Sequence, residues 1–161
     1  MHQLEIESLH ARPELASLLA RWTYDEWYRD RSIEFEFLLR AFLLRTKNDS
    51  LPLSLVCLCD TVPAGMVTLK RDDLWSRTDL NPWLSSLYVA PEFRNRGVGR
   101  ELIVAVTGAA RERGYRELYL FLGTSRQEWL ERYYRRRGWE IADPALDNDG
   151  NETKIMRFLI A

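Results

Sequence analysis

The chain has 161 residues, of which 46% are hydrophobic and 29% charged, a composition typical of globular proteins and not of disordered or collagen-like ones. The 23 basic and 24 acidic residues give a formal net charge of −1, so no overall positive charge attracts nucleic acid or an anionic membrane. The length favours one domain, residues 1–161. Neither a membrane-spanning apolar run of about 18–20 residues nor a signal-peptide pattern is present, which predicts a cytoplasmic protein.

Alternating and helical spacings of apolar residues divide the chain into eleven predicted elements. Pro13 suits the first turn of a helix, Ser32 suits the cap of the next helix, and Val62-Pro63-Ala64-Gly65 suits a turn between two antiparallel strands. In chain order the elements are a strand at 3–8, helices at 13–26 and 32–44, strands at 52–60, 66–71 and 83–89, a helix at 97–113, a strand at 117–122, a helix at 126–137, and strands at 139–142 and 153–160. The order β-α-α-β-β-β-α-β-α-β-β predicts an α/β domain with a mixed sheet.

Helical spacing also predicts which faces of the first three helices are buried. The inward residues are Leu15, Leu18, Leu19 and Trp22 in the first helix, Phe37, Leu38, Ala41 and Phe42 in the second, and Val98, Leu102, Ile103, Val106 and Ala110 in the third.

The sequence predicts no metal site. Cys57 and Cys59 lie two apart in a predicted strand, where a disulfide is badly placed, and their spacing is neither a zinc nor a redox motif. The only histidines are His2 and His10. We therefore expect two small, buried, apolar cysteine side chains. The run 147–151 lacks the spacing of a calcium loop and predicts a hairpin turn.

The segment from Leu87 to Arg100 carries the strongest chemical signal. A predicted strand runs into a loop with two glycines and three arginines, and the loop opens directly into a helix. The first N–H groups of a helix have no partner within it, and together with the helix dipole they form an anion site. Arg94, Arg96 and Arg100 add positive charge there. Diphosphate is the anion that fits this arrangement best.

Two common nucleotide motifs fit the same loop poorly. A Walker A loop requires Gly-Lys-Ser/Thr, whereas Gly99 is followed by Arg100-Glu101. A dinucleotide-binding loop requires G-x-G-x-x-G, whereas Gly97-Val98-Gly99 continues to Leu102.

The chain instead resembles the GNAT superfamily of acyl-CoA-dependent N-acyltransferases. Arg94-Asn95-Arg96-Gly97-Val98-Gly99 meets the family signature Arg/Gln-x-x-Gly-x-Gly/Ala, and the lead-in 87–93 is typical of the family. A second family block, aromatic-Tyr-three residues-Gly-aromatic, is matched by residues 133–139. The two blocks and the order of elements extend the resemblance over essentially the full chain. The resemblance implies an α/β fold whose mixed, mostly antiparallel sheet of about seven strands is flanked by about four helices.

The resemblance further implies an N-acetyltransferase that moves an acetyl group from acetyl-CoA to a primary amine of a small molecule, protein or peptide. The amine attacks the thioester directly, and Tyr134 is the general acid that protonates the departing thiolate. Backbone groups of Leu87 and Val89 would bind the pantetheine arm, and Gln127 replaces a frequent family asparagine. The implied cofactor-binding residues are Leu87, Val89, Arg94, Asn95, Arg96, Gly97, Val98, Gly99, Arg100 and Gln127.

The sequence departs from the family where a catalytic base is expected. Many members carry a carboxylate on the strand before the loop, but residues 83–89 include no acid, and Ser86 stands at that position. The base therefore stays open among several groups. The candidates are Asp72, Asp73, Asp79, Glu36, and water relayed by Ser86 and Tyr88.

In this family the first two helices and the loop before the central strand line the acceptor side. Residues 25–36 hold five acids and two arginines, a net charge that would attract a cationic amine. The layout of the N-terminal third is similar to that of acetyltransferases acting on protein N-termini. The aromatic residues in these segments are Trp22, Tyr24, Trp27, Tyr28, Trp75 and Trp83.

Two other classes of function stay open. The missing strand carboxylate would suit a non-catalytic acyl-CoA-binding or protein-interaction module on the same fold. Arg135-Arg136-Arg137 beside Tyr133 and Tyr134 would suit a nucleic-acid contact, although a solvated helix face fits the near-zero charge better. The expected partners are thus acetyl-CoA and an amine, without metal, nucleic acid or membrane. The oligomeric state, a homodimer included, stays open.

Overall fold

The structure is a computed structural model that describes residues 2–161, and it confirms the predicted order of elements. Within these residues the elements are β1 (Leu4–Ser8), α1 (Ala16–Thr23), α2 (Phe35–Leu44), β2 (Leu53–Cys59), β3 (Val62–Lys70), β4 (Trp83–Val89), α3 (Val98–Glu112), β5 (Glu117–Phe121), α4 (Gln127–Arg135), β6 (Glu140–Leu146) and β7 (Glu152–Leu159). Short 3₁₀ turns cover Pro13–Leu15 and Pro91–Phe93, and a π-helical turn covers Tyr24–Tyr28. No helix among residues 2–161 is long and apolar enough to cross a membrane.

The strands form one mixed sheet in the order β1-β2-β3-β4-β5-β7-β6. β4 pairs in parallel with β5, with Trp83 opposite Tyr119. The pairs β1–β2, β2–β3, β5–β7 and β6–β7 are antiparallel. The predicted fold class, a mixed and mostly antiparallel sheet with four flanking helices, is confirmed.

The chain packs as two compact units, which divide within β4 and within α3. The first unit contains the chain up to Leu69 together with Ser86–Val106, and the second contains Lys70–Ser85 and Thr107–Ala161. The prediction of a single domain over 1–161 stays a prediction.

In the first unit the hairpin between β2 and β3 turns earlier than the sequence indicated. Asp60 and Thr61 have φ of 49° and 72°, and two consecutive residues at positive φ make the tight turn whose twist suits a two-residue hairpin. The predicted turn at 62–65 is therefore wrong, because Val62 already begins β3. Asp-Thr is not among the usual signals for this turn, so the sequence pattern did not reveal it.

α1 buries a different set of residues from the predicted one: of the four predicted inward residues only Leu19 is fully buried, and Leu18 is half-buried. The helix ends at Thr23, where a π-helical turn begins. Its buried residues are Ala16, Leu19, Ala20 and Thr23; Leu15 and Trp22 are only partly buried against the core.

α2 begins at Phe35, and its cap residue is Glu34 without a side-chain cap bond, so the predicted Ser32 cap is wrong. Phe37 was expected inward but is 66% exposed. Leu38 and Phe42 are buried as predicted.

In the second unit a small core forms around Trp83, which is fully buried and not at an acceptor rim as the sequence indicated. Leu74, Tyr119 and Ile155 pack with it. α4 ends before Gly138, whose φ of +92° is a conformation that L-residues rarely adopt.

The predicted buried face of α3 is confirmed. Its five inward residues, Val98, Leu102, Ile103, Val106 and Ala110, are all buried. Both cysteines are buried free thiols, also as predicted.

Candidate functional site

The loop between β4 and α3 is built to expose backbone amides. Asn95 and Gly97 have φ of 63° and 85°, which bends the chain sharply before the helix starts. The N–H of Glu101 donates to the carbonyl of Gly97 at 3.0 Å, the first such bond of α3. The N–H groups of the three intervening residues, 98–100, precede this bond and lie at the positive end of the helix dipole. The loop therefore offers a cluster of donors to an anion.

The three arginines of this loop differ in how they are held. Nε of Arg94 donates to the carbonyl of Val89 at 3.0 Å, which ties the loop back to β4. The Arg96 guanidinium lies 5.6 Å from the ring centre of Phe93. The Arg100 side chain is 74% exposed. Its guanidinium lies 3.9 Å from the Glu101 carboxylate, which is too far for a direct hydrogen bond. Arg100 is thus well placed to contact an incoming anion.

β4 is interrupted just before the predicted pantetheine-binding residues. Ser86 has φ of 55°, so the strict alternation of side chains stops there, as in a β-bulge. A non-glycine residue in this conformation costs about 1–2 kcal/mol, and such residues often lie at functional sites. The following residues Leu87, Tyr88 and Val89 are half-buried.

Gly65 on β3 permits a close approach of the α3 helix that the sequence analysis missed. A Cβ atom there would lie 2.6 Å from the Tyr88 carbonyl oxygen, 3.0 Å from Val98 Cγ1 and 3.1 Å from Leu102 Cδ1. Any side chain would displace the strand or the start of α3. The sequence placed Gly65 in a turn at 62–65, so the rule that a glycine inside a strand marks a close approach was not applied to it.

Three aromatic residues form what we call the aromatic cluster: Trp22, Trp27 and Tyr88. The Tyr88 ring lies 5.3 Å from Trp22 and 6.4 Å from Trp27, measured between ring centres. Burial raises the pKa of Tyr88, and the charge of Glu26 raises it further. The first unit thus carries a partly buried aromatic cluster, formed by α1, its π-helical turn and β4. The charges of Glu26 and Arg94 act on the pKa of Tyr88 in opposite directions.

Tyr134 is buried in the second unit, with 7% of its surface exposed. Its ring makes edge contacts with Tyr133 at 5.2 Å and with Trp139 at 5.7 Å. Burial raises the pKa of the Tyr134 hydroxyl well above the ordinary tyrosine value. At neutral pH this side chain is therefore a neutral proton donor.

Gln127 begins α4, and its side-chain nitrogen donates to the carbonyl of Glu152 at 3.3 Å. This contact ties the start of α4 to β7.

The carboxylates that are candidate bases differ in ion pairing and in exposure. Asp79 accepts two hydrogen bonds from Arg77, at 3.0 and 3.1 Å, and this contact lowers its pKa and weakens it as a base. Asp73 lies 3.4 Å from the ammonium of Lys70. Asp72 and Glu36 are exposed.

Trp75, expected on the acceptor side, is 76% exposed. Its backbone N–H donates to the side chain of Asn148 at 3.0 Å, and the Asn148 amide donates to the carbonyl of Asp73 at 3.0 Å. The loop that presents Trp75 is therefore held by the turn between β6 and β7.

Other features singled out in the sequence have structural roles. Arg135 pairs with Glu131 at 2.9 Å, and the Arg137 guanidinium lies 3.6 Å from the ring centre of Tyr133. Asp147 accepts hydrogen bonds from the N–H groups of Asp149 and Asn151, which confirms the predicted turn.

Comparisons with known proteins agree on one family. The sequence model described as the acetyltransferase (GNAT) family matches residues 13–139. The chain is 29% identical over 154 residues to N-alpha-acetyltransferase 80 of Mus musculus, covering 91% of this chain and 46% of that protein. It thus spans about half the length of this curated relative.

Two solved structures share the fold. A GNAT-family protein from Desulfovibrio desulfuricans superposes with a TM-score of 0.77 at 18% identity, covering 99% of this chain and 100% of that one. An aminoglycoside 6'-N-acetyltransferase complexed with coenzyme A superposes with a TM-score of 0.73 at 12% identity, covering 98% and 97%. At these identities the superpositions show the fold alone.

Proposed function

Because the chain belongs to the acetyltransferase (GNAT) family, we propose that it is an N-acetyltransferase that moves the acetyl group of acetyl-CoA to a cationic primary amine. A new C–N bond forms as the amine attacks the thioester carbonyl, and the C–S bond to CoA breaks. Tyr134 gives its proton to the departing thiolate.

The observation that carries this proposal is the start of α3. The N–H groups of 98–100 stand before the first bond of the helix, and a diphosphate supplies the oxygens that such donors bind. A Cβ on Gly97 would meet only Leu4, at 3.9 Å, so the loop backbone is not covered by nearby side chains. We assign the CoA diphosphate to the loop 94–99 with Arg100, and the pantetheine arm to backbone groups of Leu87 and Val89.

The Val89 carbonyl already accepts a hydrogen bond from Arg94. A carbonyl oxygen has two lone pairs, so this bond leaves one for the pantetheine arm. Gln127 is the last residue of the proposed cofactor-binding set. Its side-chain amide donates a hydrogen bond to the backbone of β7.

The raised pKa of Tyr134 is compatible with its role as acid. A free thiol has a pKa near 8.5 and a free phenol near 10, so proton transfer from phenol to thiolate is uphill in water. A thiolate in dry surroundings is destabilised by the same lack of solvation that raises the pKa of Tyr134. Burial therefore raises both the pKa of the Tyr134 hydroxyl and the pKa of the CoA thiol.

We place the acceptor at the aromatic cluster. A primary ammonium is attracted to aromatic faces and to carboxylates, and Glu26 acts on Tyr88 in this cluster. The amine must lose a proton before it attacks, and we propose that water at Ser86 and Tyr88 carries this proton away. Asp79 is a poor candidate, because Arg77 stabilises its ionised form.

The name of a sequence relative supports a cationic amine, and the name of a protein that shares the fold alone supplies a second amine to test. One is an N-alpha-acetyltransferase and the other acts on an aminoglycoside. The sequence relative is the former, so we propose a protein or peptide N-terminus as the first acceptor to test and a polycationic small molecule as the second.

The proposal is tested first by thermal unfolding with acetyl-CoA, using ATP and NAD as controls. A ligand at about 100 times its Kd stabilises the folded state by about 2.7 kcal/mol, which raises Tm by about 5–10 °C for this length. Release of free CoA thiol is then measured across a panel of amines.

Each alternative function has its own signature in these experiments. Acetyl-CoA binding without thiol release for any amine would indicate a non-catalytic acyl-CoA-binding module. Binding to RNA or DNA with a steep salt dependence would indicate a nucleic-acid module. The cytoplasmic location and the expected absence of membrane partners stay predictions.

A further inference from the structure

A second group of chemically reactive side chains lies in the first unit, at the turn between β2 and β3. His2, Cys59 and Asp60 each offer one donor atom, and these three atoms all lie within 4.8 Å of one another. We call this group the turn cluster. Nδ1 of His2 is 2.9 Å from Oδ2 of Asp60, and the two side chains are 51% and 55% exposed. Cys59 lies beneath them and is buried.

The backbone holds the three residues together. β1 and β2 pair with Leu4 opposite Cys59, and the N–H of Asp60 donates to the carbonyl of Gln3 at 2.9 Å. The strand pairing therefore continues one residue past β1, which brings His2 to the turn. The positive φ of Asp60 turns its carboxylate back to β1, where it accepts a hydrogen bond from the N–H of Gln3 at 2.9 Å.

The donor types are those that zinc prefers. Zn²⁺ binds thiolate sulfur at about 2.3 Å, imidazole nitrogen at about 2.0–2.1 Å and carboxylate oxygen at about 2.0–2.2 Å, in a tetrahedral arrangement. Ligand atoms at those distances lie about 3.3–3.6 Å apart. The His2–Asp60 separation of 2.9 Å must open by a few tenths of an ångström, and a sulfur separation at the 4.8 Å upper limit must close by about 1 Å. Rotation of the two exposed side chains provides both changes. Water would supply the fourth ligand.

We propose that the turn cluster binds a divalent transition metal ion of the Zn²⁺ class through Sγ of Cys59, a ring nitrogen of His2 and the carboxylate of Asp60. The ion would cross-link the segment before β1 to the β2–β3 turn. This inference does not depend on the acetyltransferase chemistry, because neither residues 94–100 nor Tyr134 belongs to the cluster. Zinc and redox motifs in a sequence have ligands close together in the chain. Here His2 lies 58 positions before Asp60 and meets Cys59 and Asp60 through strand register, so the sequence predicted no metal site.

The proposal is tested with Co²⁺, a spectroscopic substitute for Zn²⁺, added to the full chain without an affinity tag. We expect saturation at one Co²⁺ per chain, a thiolate-to-cobalt charge-transfer band in the near ultraviolet, and loss of that band when Zn²⁺ is added. Cys59→Ser should abolish the band. His2→Ala and Asp60→Asn should weaken Co²⁺ binding by at least the roughly 10–100-fold that removal of an outer-shell partner costs.

Cys57→Ser is the matched control, since Cys57 is the other buried cysteine of β2 and lies outside the cluster. It should leave the charge-transfer band unchanged. A wild-type chain without the band at stoichiometric Co²⁺ would overturn the proposal, as would a band that survives in both the His2 and the Asp60 variants. Because those two side chains are exposed, the test does not rely on a core substitution that could unfold the protein.

Discussion

A Cβ atom placed on Gly65 would lie 2.6 Å from the carbonyl oxygen of Tyr88. β3 and β4 are therefore packed against the start of α3 at a spacing that only glycine allows, and Val98 and Leu102 of that helix are the other neighbours. The strand that we assign to the pantetheine arm and the helix that we assign to the diphosphate meet at this one residue. A substitution at Gly65 would therefore affect acetyl-CoA binding by displacing β4 and α3, without a direct contact between residue 65 and the ligand.

Gly65→Ala should destabilise the protein and weaken acetyl-CoA binding together. Overpacking a buried site costs about 1–3 kcal/mol, which lowers Tm by about 2–4 °C per kcal/mol in a chain of this length. Gly108→Ala is the control, because no atom lies within 4 Å of the added Cβ and alanine favours a helix interior by about 0.5–1 kcal/mol. Equal Tm values for the two variants would contradict this account of Gly65.

Gly97→Ala should weaken acetyl-CoA binding about tenfold or more, equivalent to about 1.4 kcal/mol, because the added methyl group blocks access to the loop amides. Gly114→Ala is a matched control: both glycines have φ of +85° and open surroundings, so both variants carry similar backbone strain. Isothermal titration measures the Kd for acetyl-CoA in both variants. An effect of backbone strain should appear in both, whereas an effect of blocked access should appear only in Gly97→Ala. An unchanged Kd in Gly97→Ala would remove the loop backbone from the proposed site.

Tyr134→Phe should lower kcat about 100-fold while the Kd for acetyl-CoA stays constant, because only proton donation is lost. Tyr133→Phe removes a hydroxyl from the adjacent position of α4 and should leave kcat near the wild-type value. Thiol release at saturating amine and acetyl-CoA measures kcat, and isothermal titration measures the Kd for acetyl-CoA. If the two variants have the same kcat, Tyr134 is not the general acid.

The pH profile should show no loss of activity from Tyr134 at or below pH 10. Its folded-state pKa is raised above the ordinary value of 10.0, chiefly by burial, so the hydroxyl keeps its proton to higher pH. The rate should instead rise through the pKa of the acceptor amine and then stay level. In Tyr134→Phe the same rise should appear at a lower kcat. A wild-type profile that falls below pH 10, with no fall in the variant, would contradict the raised pKa.

Glu26→Gln should raise the KM for a cationic amine by about three- to tenfold at low salt, since it removes an attractive charge beside the aromatic cluster. The KM for acetyl-CoA should not change. Glu112→Gln removes an exposed carboxylate from the end of α3, outside the acidic stretch 25–36 and outside the candidate bases, and serves as the control. Raising the salt concentration should shrink the difference between Glu26→Gln and wild type. An equal rise in the KM for the amine in both variants would mean that overall negative charge, and not Glu26, attracts the amine.

The parts of the fold that the sequence revealed depend on local patterns. The buried face of α3 follows from the spacing of Val98, Leu102 and Val106 along one helix. The loop before it follows from glycines and arginines that are adjacent in the chain. Both can be derived within a window of about one element.

The parts that were missed depend on residues distant in the chain or on an unusual backbone. Gly65 is required by Tyr88 and α3, and the metal-site proposal unites His2 with Cys59 and Asp60 through strand pairing. Phe37 has helical spacing suited to burial, but α2 buries Leu38 and Phe42 and leaves Phe37 exposed. No local pattern encodes these relationships.

The π-helical turn at Tyr24–Tyr28 makes the acceptor side sensitive to chain length. A π-helical turn accommodates one residue more than an α-helical turn, so a deletion of one residue there would let α1 continue as a regular helix. Because the π-helical turn closes one turn with one extra residue, side chains beyond the deletion would keep their direction around the helix axis. Trp27 lies inside the turn, so its position relative to Tyr88 would change. A single codon lost within this turn would therefore rearrange the acceptor side locally, around Trp27, and leave the residues beyond the turn in register.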